Sequence, residues 1–263
     1  MDLGLKGKVA MVAGASRGLG FAIAKVLSSE GALVSLASRN SSAVSKAVER
    51  IESEGGGAAF GFAADVSTAD AIANWHLATV ERLGEVDLLV TNSGGPPAGT
   101  LLSFNDAAWQ SAFDLLVMSA IRMVRVVAPS MIARKSGSIV VLTSSTVKEP
   151  IANLAQSNVL RPSVSALAKS LANELAEYGI RVNHVMPGRI ATDRVRELDE
   201  LNSRKNGITV EEQQKRAAAN IPMGRYGTPD EFARAVTFLL SGAAGYITGA
   251  SLQVDGGQMH SVL

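Results

Sequence analysis

Val9-Ala10-Met11-Val12-Ala13-Gly14-Ala15-Ser16-Arg17-Gly18-Leu19-Gly20 is a short apolar run that passes directly into a turn of glycine and other small residues, and a helical pattern follows from Gly18 to Ser29. A strand ending in such a turn lets backbone approach a phosphate, and the helix N-terminus behind it attracts the phosphate charge. The stretch predicts a dinucleotide-binding loop formed by Gly14, Ser16, Arg17, Gly18, Leu19 and Gly20. Its spacing is G-x-x-x-G-x-G rather than the more general G-x-G-x-x-G, so the flanking strand and helix carry the reading as much as the glycines do.

The same alternation continues along the chain. Strands are predicted at Val9–Ala13, Leu33–Ala37, Ala58–Ala63, Val86–Thr91, Ser138–Thr143, Arg181–Met186 and Ser251–Val254, with helices near Gly18–Ser29, Ser41–Ser53, Thr68–Leu83, Asn105–Arg134, Ser163–Tyr178 and Pro229–Leu240. Right-handed crossovers then give an α/β fold: residues 1–263 as a single domain, a doubly wound parallel sheet of about seven strands, Rossmann-like, with helices on both faces. Gly31 and Gly84 stand where helix ends need positive φ, Thr228-Pro229-Asp230-Glu231 supplies a helix start, and Gly55-Gly56-Gly57 reads as a turn. From Arg189 to Met223 the alternation lapses for longer than an ordinary connection allows, so this segment is expected to hold helices of its own or to act as a lid.

The second strand ends at Ser38-Arg39, where an NAD enzyme would offer an acid to the ribose 2′-hydroxyl. A cation there, with Arg17 beside the loop, predicts a bidentate clamp on a 2′-phosphate and favours NADP(H).

Composition narrows the rest. Of 263 residues 47% are hydrophobic and 19% charged, which excludes a disordered chain. Twenty-five Lys+Arg against 24 Asp+Glu leave +1, so a small-molecule substrate is expected and no nucleic acid. The absence of cysteine excludes disulfides, zinc fingers and thiolate nucleophiles and fits the expected cytoplasmic location. His76, His184 and His260 have no ligand spacing, so no metal is expected. The apolar run near the N-terminus is too short for a signal peptide, and Ala112–Ala133 is interrupted by Asp114, Arg122 and Arg125, which predicts no membrane span but a long helix packed on the body or a sister subunit.

The chain resembles the short-chain dehydrogenase/reductase family over essentially its whole length, most closely its 3-oxoacyl-acyl-carrier-protein reductase-like branch. The resemblance rests on Gly14-x-x-x-Gly18-x-Gly20, Asp65-Val66, Asn92-Ser93-Gly94, Ser144, Ile180-Arg181-Val182-Asn183, Pro187-Gly188-x-Ile190-x-Thr192, Tyr246-Ile247-Thr248-Gly249 and Val254-Asp255-Gly256-Gly257. It implies that Asp65 and Val66 border an adenine, Asn92 and Gly94 the central ribose, and the Pro187-Gly188 turn with Ile190 and Thr192 the nicotinamide. It also implies a homotetramer or homodimer, with which the apolar length of the fourth helix and its Met118, Met123 and Met131 agree.

The family's catalytic set of Asn, Ser, Tyr and Lys fails to match. Counting back from the Ile180 motif places Arg161 at the lysine, Ser157 at the tyrosine and Ser144 at the serine position, and counting on from Trp109 places Leu116 at the asparagine position. A serine hydroxyl is too weak an acid to replace phenol, and Arg161, which would also hold the nicotinamide ribose, stays protonated. Ser144, Ser157 and Arg161 are instead expected to converge on a developing alkoxide while water supplies the proton. Three readings follow: an NADP(H)-dependent oxidoreductase with an atypical site, a non-catalytic NADP(H)-binding sensor or structural protein, and a lyase-like or dehalogenase-like offshoot. An apolar cavity at the nicotinamide end favours the first and a filled one the second, and Leu116 leans toward filling. Pro162 predicts an irregular helix around Arg161, and Pro96-Pro97 a stiffened loop.

Overall fold

The computed structural model describes residues 2–54 and 56–261 and places β1 (Val9–Ala13) third in a seven-stranded parallel sheet. β2 (Leu33–Ser38) and β3 (Ala59–Ala63) lie to one side of it, and β4 (Leu88–Thr91), β5 (Gly137–Leu142), β6 (Ile180–Pro187) and β7 (Ser251–Val254) to the other. All five residues of β1 are buried, as expected for a strand paired on both edges and covered on both faces. Alternate residues feed two separate cores. Met11 packs with Trp75, Met123 and Val164, whereas Ala10 and Val12 pack with Ile23, Leu27, Phe232 and Val236. The first layer is α3 (Ala69–Leu83), α4 (Asp106–Phe113), α5 (Ser119–Arg134) and α6 (Ala155–Leu175); the second is α1 (Gly18–Ser29), α2 (Ser41–Ser53) and α9 (Pro229–Leu240). The segment expected to hold its own helices does so, as α7 (Asp193–Asn206) and α8 (Val210–Ala219).

The predicted boundary chemistry is present. Gly31 and Gly84 have φ of +85° and +99°, and Thr228 and Glu231 form a reciprocal capping box ahead of α9. Gly55 of the Gly55-Gly56-Gly57 turn lies outside the described residues. Arg181 explains part of the Ile180-Arg181-Val182-Asn183 motif, because it donates to the carbonyls of Leu239, Leu240, Ser241 and Ile247 and so closes the C-terminal end of α9. Asn183 accepts from Ala250 N at 3.1 Å and donates to Ile247 O at 2.8 Å, fastening the loop before β7.

Two expectations need correction. α6 begins at Ala155 and runs as an α-helix through Ser157, Arg161 and Pro162, without the irregularity that Pro162 suggested. A buried stripe of Gln156, Leu160, Val164, Ala168 and Ala172 holds that path against the local preference imposed by proline. Asn158 supports the first turn, accepting from Ile151 N at 3.0 Å and donating to Ile151 O at 2.8 Å. The other correction is to the long fourth helix, which is not uniform: Asp114–Met118 between α4 and α5 is π-helical. Leu116, which the resemblance sets at the asparagine position, sits in this widened turn and is buried.

The stretch Asp106–Arg134 is long and apolar enough to cross a membrane by composition. Met123, Val124, Val127 and Met131 are nevertheless buried in the core, and Arg122 bonds both Asp114 and the carbonyl of Ser67. These contacts make it a core helix.

Candidate functional site

The topology reverses direction between β1 and β4, and a crevice opens there at the C-terminal strand ends. Gly14 and Gly18 have φ of +59° and +62°, and a β-carbon on Gly20 would stand 2.4 Å from the Gly14 carbonyl oxygen. Each glycine is therefore required by conformation or by close packing. Asn92, at the end of β4, donates through Nδ2 to Ala13 O at 3.2 Å and Gly14 O at 3.4 Å, holding the loop from across the crevice. Arg17 occupies the N-cap of α1 with no side-chain cap bond, so the first-turn N–H groups remain free for an anion.

On the side expected to take the adenine, Arg39 is exposed, and the Ser38 hydroxyl is buried without a hydrogen-bond partner. Val66 is buried. Asp65 accepts from Ser67 N at 3.0 Å and Ser67 Oγ at 2.8 Å. Burial pushes the Asp65 carboxyl up, but those hydrogen bonds and the charge of Arg39 outweigh it and hold the group below its ordinary value. Arg17 turns toward the opposite wall, 3.8 Å from Asp193 at the start of α7, with both side chains about 70% exposed. An ion pair so exposed is worth little and yields readily to a phosphate.

At the other end, Gly188 is required because a β-carbon would meet Asp255 Cβ at 2.5 Å. Ile190 is buried, and Thr192 caps α7 by accepting from Val195 N. Gly94 has open space around it. Behind Thr192 the structure assembles a group that spacing did not reveal. Asp199 of α7, fully buried, accepts from Arg189 Nη1 at 2.6 Å and from the Tyr226 hydroxyl at 2.9 Å. Burial, reinforced by Asp199, pushes the Tyr226 phenol up to about 12, so Tyr226 is spent as a structural donor.

Arg161 lines a cavity of only about 10 Å³ with Thr91, Asn92, Ser93, Leu116, Ser119, Ala120, Leu142 and Val164, room for about one water molecule. Burial first, and then the charge of Arg194, push its pKa down to about 10; the guanidinium stays charged at neutral pH. Ser144 and Ser157 do not form walls of this cavity. Ser144 Oγ accepts from Thr146 N at 3.3 Å, and Ser157 is buried on α6 one turn before Arg161.

A second cavity, of about 410 Å³, lies beside α6 and is walled by Pro162, Ser165, Lys169, His184 and Ser251 among others. Nothing in the spacing singled out His184, yet it is buried in β6, its Nε2 bonded to the Thr143 hydroxyl and its Nδ1 3.3 and 3.2 Å from the hydroxyls of Ser165 and Ser251. Burial, reinforced by the charge of Lys148, pushes its pKa down to about 4 from 6.5. Above pH 6.5 the imidazole is neutral in folded and unfolded chains alike. Between there and about 4 the unfolded chain takes up a proton that the folded one refuses, so stability falls as pH falls, by roughly 3 kcal/mol in all. Melting curves between pH 7 and about 4.5 should show a steeper loss in the native chain than in His184→Gln; parallel curves would refute the assignment.

A wound parallel sheet with a glycine cradle at its reversal point has the architecture of a dinucleotide-binding protein. Comparison with known proteins gives the family. A family profile described as "Enoyl-(Acyl carrier protein) reductase" matches residues 14–259. The chain is 34% identical over 257 residues to the 3-oxoacyl-[acyl-carrier-protein] reductase FabG of Vibrio cholerae, covering 97% of this chain and 98% of that one. L-sorbose reductase from Gluconobacter frateurii, solved with NADPH and L-sorbose, superposes with a TM-score of 0.95 at 31% identity over the whole of both chains. An actinorhodin polyketide ketoreductase with NADPH gives 0.92 at 32% identity, covering 97% of this chain and 98% of that one. The chain belongs to the short-chain dehydrogenase/reductase family, on the 3-oxoacyl reductase-like side that its motifs resemble.

Proposed function

We propose that the protein is an NADP(H)-dependent oxidoreductase that interconverts carbonyl and alcohol groups through an atypical site in which Ser144, Ser157 and Arg161 take over from the family's phenol and ammonium. The observation that carries this is the cradle of Gly14, Gly18 and Gly20 beneath an uncapped α1, with a cation at Arg39, where an acid would select NAD, and another at Arg17 beside the loop. Structural relatives solved with NADPH agree with that choice of cofactor. Gly14, Ser16, Gly18, Leu19 and Gly20 would hold the pyrophosphate; Ser38 and Arg39, with Arg17 released from Asp193, the 2′-phosphate; Asp65 and Val66 the adenine; Asn92, Gly94 and Arg161 the ribose; and Pro187, Gly188, Ile190 and Thr192 the nicotinamide. When bound, NADPH supplies the hydride. Arg161 stabilises the alkoxide by charge, Ser144 and Ser157 by hydrogen bonds once their hydroxyls turn to it, and water supplies the proton. Without a positioned general acid the reaction runs about 10²–10⁴-fold below the family's usual efficiency. The segment 189–223 acts as the specificity lid, and the working form is a cytoplasmic homodimer or homotetramer.

A non-catalytic NADP(H)-binding role is the second reading, favoured by the nearly filled cavity between Leu116 and Arg161. The test is fluorescence titration with NADPH and NADH, then oxidation against ketones, aldehydes and 3-oxoacyl thioesters. Turnover that drops about 10²–10³-fold in Arg161→Ala is expected, the size found when one oxyanion donor is removed. Tight NADPH binding without turnover supports the sensor, and no nucleotide binding rejects both.

A further inference from the structure

Arg161 is a cation without a counter-charge. Among the described residues it makes no hydrogen bond or ion pair with protein, and its five donors cannot all be served by the polar atoms of a cavity with room for about one water. A second cation borders the same loop. Arg194, on the first turn of α7, places Nη2 3.7 Å and Nε 3.9 Å from where a β-carbon on Gly95 would lie. Among the described residues its acid partner is Glu197 at 3.5 Å, with both side chains 48% exposed, a pairing of little strength. The loop that follows β4 is thus bordered by a guanidinium from α6, against Asn92 and Ser93, and by another from α7, against Gly95. The field of Arg194 reaches Arg161 and makes its charged form less favourable. Two like charges around one loop, with the nearby acids Asp193 and Glu197 exposed and already engaged, are stabilised by an anion between them.

The cofactor is not the obvious source of that anion. Its pyrophosphate has the glycine loop and the start of α1, its 2′-phosphate has Arg39, and the nicotinamide ribose that Arg161 would hold is uncharged. We propose that Arg161 and Arg194 form a receptor for a carboxylate on the substrate, so that the protein acts on oxo acids and their hydroxy-acid counterparts. This rests on the oxidoreductase reading for its chemistry: the oxo acid gains a hydride from NADPH and a proton from water and leaves as the hydroxy acid, with NADP⁺ and a hydroxide ion released to solvent as the other products.

The experiment uses matched pairs: pyruvate, acetoacetate and levulinate against their methyl esters. Each is titrated calorimetrically into the apo protein and the NADPH-loaded protein and then assayed for NADPH oxidation. The expected result is that at least one acid binds about 100-fold more tightly than its ester, the effect of one well-made charge pair. The preference shrinks as salt rises, falls toward unity in Arg194→Gln, and is partly kept in Arg194→Lys. NADPH affinity in Arg194→Gln, read by fluorescence quenching, stays at the native value and shows that the variant is folded. Equal binding of acids and esters, or no binding of either, overturns the proposal. So does a loss of NADPH affinity in Arg194→Gln equal to the loss for the acid, which would assign the pair to a cofactor phosphate. If NADPH fails to bind while acids still bind through Arg194, the receptor stands and the oxidoreductase reading falls.

Discussion

Gly20→Ala is expected to weaken nucleotide binding on the order of 100-fold. A β-carbon at this position would stand 2.4 Å from the Gly14 oxygen, 2.8 Å from the Gly14 carbonyl carbon and 3.0 Å from the Ala13 oxygen. All three are backbone atoms and cannot swing aside, so either α1 moves away from β1 or the loop opens. Such overpacking costs about 1–3 kcal/mol of stability. The displaced loop also loses the alignment of its amides, so NADPH affinity should fall on the order of 100-fold, equivalent to about 2.7 kcal/mol. Gly18→Ala is the informative contrast: its nearest neighbour would be Thr192 Cγ2 at 3.9 Å, so only the strain of positive φ, about 1–2 kcal/mol, opposes it. Fluorescence titration of both variants, with circular dichroism as the check on folding, separates the two effects. Native affinity in Gly20→Ala would mean that the loop does not carry the pyrophosphate.

Asp199→Ala should be the most damaging change outside the crevice. The buried carboxylate of α7 receives both the Arg189 guanidinium, which follows β6, and the Tyr226 hydroxyl. Arg189 also lies over the Tyr226 ring, 5.5 Å from its centroid. Removing the acid leaves Arg189 half-buried and unneutralised and Tyr226 without an acceptor, a loss of about 3–5 kcal/mol for a broken buried pair. For a chain of this size that corresponds to a fall in Tm of roughly 10 °C. Thermal unfolding followed by circular dichroism measures it, and a fall of less than about 2 °C would show that α7 is held by other contacts.

The sheet was legible because its strands are continuous apolar runs separated by glycine and helix caps; all seven lie within two residues of where β-branched clustering puts them. α6 was not, because Pro162 speaks for a local break and only the buried stripe from Gln156 to Ala172, satisfied by the rest of the fold, overrules it. The π-helical turn at Asp114–Met118 was equally hidden, since Leu116 fits any apolar helical face. At the site, the glycines and the cation at Arg39 announce themselves by position relative to a strand. The Asp199–Arg189–Tyr226 group joins residues 10 and 27 or more positions apart, and His184 finds its partners on three separate elements; no spacing rule links such pairs. Arg161 was legible as a departure from the family, whereas the field of Arg194 upon it was not.

β1, an interior strand of the sheet, is synthesised before every other strand of it, and one of its two partners comes much later. Val9 N donates to the carboxylate of Asp87, 78 residues onward, and Asp87 N donates to Val9 O at 2.9 Å. At a synthesis rate of about 5–20 residues per second, roughly 4 to 16 s separate Val9 from Asp87, and for about 2.5 to 10 s of that, between the end of β2 and the start of β4, β1 has β2 as its only available partner and its second apolar edge uncovered. Parallel pairing across such a separation is slow once it becomes possible. The vulnerable moment for this chain is that interval, when its N-terminal βαβ unit is complete enough to expose a sticky edge and not yet long enough to close it.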